Sequence, residues 1–129
     1  MAGLADLANR SPAIGYACRG FAYAGTTWRV GPVINVRDDA GGLVDLTAPG
    51  IVFEGGVIDP ADPDGNTYLV PLNVTAGVGE FEAVAAAEQT DIPPGVYPWR
   101  LLIKDTTANP VIVVVAWGGL LCSVTVETP

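Results

Sequence analysis

The chain has no histidine in its 129 residues. That absence removes the commonest general base near neutral pH, and with it the usual hydrolase triads, so the sequence does not read as an enzyme and calls for no cofactor. Cysteine is nearly as scarce. Cys18 and Cys122 are the only two, and without histidine they make a poor zinc set. Basic side chains number six against fourteen acidic ones, for a net charge of -8 and a pI near 4.1. A general attraction to phosphate backbones or anionic lipid is therefore not supported, and neither nucleic acid nor a membrane surface is an expected partner. Charge of either sign is thin at 16%, while hydrophobic residues make up 50% and mean hydropathy is +0.39. Such a chain is apolar for a solitary soluble protein, and part of its surface is expected to be covered by other subunits.

No basic region followed by a continuous apolar core stands at the N-terminus, where Asp6 comes early. It does not read as a secretory signal, and the expected compartment is the cytoplasm until assembly. Two free thiols are then expected, with Cys122 a small core residue in phase with Leu120, Val124 and Val126. Residues 106–126 carry no charge and are long enough to raise a tail anchor. Pro110 and the Gly118-Gly119 pair interrupt the run, and Ser123 and Thr125 alternate with Cys122 and Val124, so a buried strand pair is the expectation instead.

What is present is short, alternating and punctuated by turns. Ile92-Pro93-Pro94-Gly95 makes a rigid turn that feeds a strand in which Tyr97, Trp99, Leu101 and Ile103 share one face. Pro98, Arg100 and Lys104 share the other, and Pro98, which has no amide hydrogen to give a ladder, predicts an edge strand. Upstream, Trp28 to Arg37 has mostly apolar even positions and ends in the turn cluster Asp38-Asp39-Ala40-Gly41-Gly42. Residues 51–58 and 67–74 follow as strands. Residues 80–88 set alanine's helix propensity against an alternation of Phe81, Ala83, Ala85 and Ala87, and the alternation favours a strand. The β-branched run 111–117 is expected to be central and covered on both faces, with residues 120–127 as its hairpin mate.

These pieces predict an all-β domain: an antiparallel β-sandwich, immunoglobulin-like or jelly-roll-like with Greek-key connections, over residues 27–129. Residues 1–26 are Gly/Ala-rich and read as an extended N-terminal arm or peripheral strand that other molecules anchor through Tyr16, Phe21 and Tyr23. Trp28 is expected to be the most exposed tryptophan, and Pro98 and Arg100 to face a partner.

Other candidate sites are weaker. Asp59, Asp62, Asp64 and Asn66 gather oxygen ligands around Gly65 as a calcium loop does, yet the spacing is not that of an EF-hand, and Asp-Pro and Asp-Gly-Asn are ordinary turn formers, so no metal is assigned. Asp38 with Asp39 and Glu80 with Glu82 are carboxylate pairs without a recognisable catalytic partner. Trp28, Trp99 and Trp117, with Tyr68 and Tyr97, would form a sugar-stacking platform if exposed, and core packing is the simpler use of such residues in strands.

The order of cues also carries a resemblance. The Asp-Asp-Ala-Gly turn, Asp45-Leu46-Thr47, Ile92-Pro93-Pro94-Gly95-Val96-Tyr97-Pro98-Trp99, Lys104-Asp105 and Trp117-Gly118-Gly119-Leu120-Leu121 together resemble the small β-sandwich domains of phage baseplate upper proteins and related tail proteins, over residues 28–127. The motifs are short and lie mainly in turns, and similar turns occur in immunoglobulin-like modules of bacterial surface proteins. The resemblance implies a virion structural protein, either a head decoration cementing capsid subunits or a tail or baseplate piece. Its partners would be major capsid or tail subunits and further copies of itself, and its location the virion, assembled in the host cytoplasm. The alternative it leaves is a carbohydrate-binding or adhesion module.

Overall fold

The computed structural model describes residues 19–30, 33–38, 40–62, 66–117 and 123–129. Cys18, Cys122 and Tyr16 lie outside them. Among the described residues there are ten strands and no helix. The strands are β1 (Arg19–Tyr23), β2 (Trp28–Arg29), β3 (Val33–Ile34), β4 (Ile51–Ile58), β5 (Tyr68–Pro71), β6 (Asn73–Gly77), β7 (Glu80–Ala85), β8 (Gly95–Asp105), β9 (Ile112–Trp117) and β10 (Ser123–Glu127). They form a β-sandwich of two sheets. The larger has the order β1-β10-β8-β4-β5, with β9 also on β8; the smaller has β2-β7-β3, with β6 also on β7. The chain crosses between sheets after β1, β3, β5 and β7, so each sheet is built from separated stretches of sequence.

The alternation along each strand selects its inner face. Phe81, Ala83 and Ala85 of β7 point into the sandwich, and so do Trp99, Leu101 and Ile103 of β8. Leu101 and Ile103 have no exposed surface at all, and burial of side chains this size is worth roughly 1.5–3 kcal/mol each. Two aromatic pairs tie the sheets together: Trp28 lies edge-on to Trp99 with ring centroids 5.3 Å apart, and Phe53 lies 5.3 Å from Phe81. The segment between β3 and β4 contributes Val36, Val44 and Leu46 to the same core.

Several expectations are corrected. Of the two readings of the N-terminal residues, arm or peripheral strand, residues 19–23 are the strand and not a free arm: β1 pairs in parallel with β10 at the end of the large sheet and buries Ala22. That makes the large sheet mixed rather than wholly antiparallel. Strand β8 is central, not an edge. It pairs with β4 from Trp99 to Asp105 on one side, and on the other with β10 at its start and β9 at its end. Pro98 is tolerated because it precedes the β4 ladder by one residue, where β8 has a neighbour on one side only. Among the described residues strand β9 is paired only with β8, and Val111 and Val113 are 49% and 46% exposed. Its mate is β8 rather than β10, since β9 and β10 together occupy one long edge of β8. No helix among the described residues is long and apolar enough to cross a membrane.

Candidate docking face

Cross-strand partners share a face of a sheet, so the register determines which side chains point outward together. Arg19 stands beside Ser123, and Ser123 beside Pro98; Phe21 beside Thr125, and Thr125 beside Val96; Tyr23 stands beside Glu127. These three rows lie on the outer face of the large sheet, while Ala22, Val124 and Val126 between them are buried. Phe21, Tyr23 and Val96 are 50%, 46% and 67% exposed. The Phe21 and Tyr23 rings meet edge to face at 5.0 Å, so the pair is held in place without being covered.

Along β8 the same face continues through Arg100, Leu102 and Lys104. The Arg100 Nε donates to the Tyr68 hydroxyl at 2.9 Å, and its guanidinium lies over the Tyr68 ring, 5.5 Å from the centroid. Lys104 pairs with Glu54 at 3.0 Å. Around that pair Val52 and Val113, the cross-strand neighbours of Lys104, stay nearly half exposed. The outer face is thus apolar at both ends with a polar seam between.

Of the residues singled out as partner-facing, Phe21, Tyr23, Pro98 and Arg100 are brought onto this one face. Trp28 is not, which corrects its expected exposure: it is buried, because Gly20 clears space for its indole and Trp99 offers a ring to its edge. Val96, Val52 and Val113 were missed. Val96 could have been found as the outward neighbour of Pro98 in the alternation, whereas Val52 and Val113 become neighbours only through the β4-β8-β9 pairing.

The remaining candidates are dispersed or occupied. Asp59 Oδ1 accepts from the Ala61 amide at 2.9 Å and Asp62 Oδ2 from the Asn66 amide at 3.0 Å, so both carboxylates cap local turns; Asp64 lies outside the described residues. Among the described residues no group of three His, Cys, Asp or Glu side chains is placed to hold a metal. Asp38 Oδ1 accepts from the Ala40 and Gly42 amides and organises the turn. Glu80 and Glu82 line an open groove of about 470 Å³ on the outer face of the small sheet, beside Ile34, Asn73 and Thr75, and Glu82 is paired with Arg29. Asp45 and Asp105 each accept from the hydroxyl and amide of the threonine two residues on, at 2.6 and 2.9 Å for Thr47 and 2.7 and 3.1 Å for Thr107. Both bonds favour the ionised form and hold each carboxyl below its ordinary range.

No protein family, curated protein or solved structure matches the chain.

Proposed function

We propose that the chain is a non-catalytic structural subunit of a bacteriophage particle, which docks on other virion proteins as a head decoration or a tail or baseplate component. The observation that carries the docking part is the outer face of the large sheet, where Phe21, Tyr23 and Val96 are exposed in adjacent rows. Apolar side chains clustered on one face mark an interaction surface more often than scattered ones do. The phage assignment rests on the turn motifs of the sequence. Burial of Trp28 and Trp99 removes two of the three tryptophans from a sugar-stacking platform, which favours docking on protein over docking on glycan.

Quantitative mass spectrometry of purified particles tests this. The chain is expected at a fixed stoichiometry to the major capsid or tail protein, with cross-links that include residues of β1, β8 or β10. Absence from washed particles, or a variable trace amount, would overturn the assignment.

A further inference from the structure

We propose that the free edge of β1 pairs with β1 of a second copy, antiparallel and about a two-fold axis at Phe21. The inference rests on the docking reading and names the occupant of one part of that face. β1 ends the strand order of the large sheet, and among the described residues only β10 pairs with it. Edge strands are ordinarily blunted by lysine, proline or a bulge. Arg-Gly-Phe-Ala-Tyr has one arginine at its start and no other such device.

The register gives the pairing its complementarity. Antiparallel alignment centred on Phe21 sets Phe21 against Phe21 of the second copy and Arg19 against Tyr23 of the second copy, all on the outer face. An arginine above a tyrosine ring makes a cation–π contact. Glu127 stands beside Tyr23 in the same row, two strand spacings or roughly 10 Å from that arginine's backbone, within reach of the two extended side chains. The two-fold axis makes each contact twice, as in the commonest closed oligomers.

Net charge favours this edge over others. Two copies at -8 repel one another. The first 37 residues, however, hold Arg10, Arg19, Arg29 and Arg37 against Asp6 alone, a net +3 that leaves -11 to the remainder. No Asp or Glu occurs between residues 7 and 37, so β1 lies in the stretch where the acidic charge is absent. Five paired residues and their aromatic face make less than a standard interface, so the dimer is weak, with Kd on the order of 10⁻⁵ to 10⁻³ M.

Sedimentation equilibrium of the full chain across that concentration range is the test. A reversible monomer–dimer equilibrium is expected. Arg19→Glu should weaken it about tenfold or more, Glu127→Arg in the same chain should restore it, and Phe21→Ser should abolish it with the thermal midpoint unchanged, since Phe21 is half exposed. A monomer at every concentration overturns the inference, and so does a dimer indifferent to both Phe21→Ser and Arg19→Glu. Amides of β1 directed away from β10 that resist hydrogen exchange equally in dilute monomer would mean that the edge is already covered within one copy, which overturns it too. Each of these failures leaves the particle stoichiometry free to uphold the docking reading; absence from particles, conversely, sinks that reading whatever the solution state.

Discussion

Trp28 shows how a single residue's fate is decided at a distance. Its indole lies against Gly20, where an added Cβ would sit 2.8 Å from Cζ2, and edge-on to Trp99. Gly20→Ala should therefore displace the ring and destabilise the fold by roughly 1–3 kcal/mol, measured by urea unfolding; an unchanged midpoint would mean that the ring is not held there. At Gly55 and Gly56 the crowding is against backbone, with a Cβ meeting the Arg100 and Val70 carbonyl oxygens at 2.3 and 2.2 Å, so alanine at either position should open the β8-β4-β5 ladder. The two Asp-x-Thr turns give a pH prediction. Asp45 and Asp105 have lowered folded-state pKa values, so their contribution is present above the ordinary carboxylate pKa and is lost as pH falls through the lower folded value. Asp45→Asn and Asp105→Asn should lower the melting temperature at pH 7 and converge on the parent as the pH falls below the ordinary carboxylate range and through the lowered folded-state values. The inward face of β8 was legible from period-two alternation alone. The burial of Trp28 was not, because its site is made by Gly20 on another sheet and by Trp99, far along the chain.

At the level of elements, the alternation predicted where strands would be but not what would lie beside them. β4, β7 and β8 follow the period of two, and the alanines of β7 were correctly overruled by it, since Ala83 and Ala85 pack into the core without exposed surface. The β-branched run of β9 misled, because valine is equally at home on a covered face and on an exposed edge. Which of the two applies depends on β10, whose pairing with the first half of β8 leaves β9 the second half. The consequence is measurable at adjacent residues. Val114 is fully buried and Val113 nearly half exposed, so Val114→Ala should cost on the order of 2 kcal/mol while Val113→Thr stays within about 0.5 kcal/mol of the parent. Equal losses in chemical denaturation would mean that β9 is covered on both faces after all. The parallel β1–β10 pair was hidden in the same way: Phe21 and Tyr23 read as arm residues until β10 supplied the strand that orders them.

For the whole molecule, the composition and the surface point the same way. A chain with half its residues hydrophobic and 16% charged fills one core between two sheets and still leaves Phe21, Tyr23, Val96, Val52 and Val113 on one outer face. The sequence led to the expectation of a partner-facing surface that includes Phe21, Tyr23, Pro98 and Arg100, and the structure brings these four onto one outer face; the alternation gave no sign that Val52 and Val113 from β4 and β9 would share it. Ionic strength should have modest influence on the docking carried by Phe21, Tyr23 and Val96, because these side chains are apolar and the Lys104–Glu54 and Arg100–Tyr68 contacts are already made within the sheet, whereas the Arg19 and Glu127 contacts across the β1 edge should weaken with salt. The most direct measurement of the docking account is hydrogen exchange and side-chain oxidation of the chain, free and assembled in its particle. The account predicts that Phe21, Tyr23, Val96 and the outward-directed amides of β1 become protected on assembly while the groove beside Glu80 and Glu82 stays open. Unchanged reactivity of that face, with protection appearing at the Glu80 and Glu82 groove instead, would contradict it.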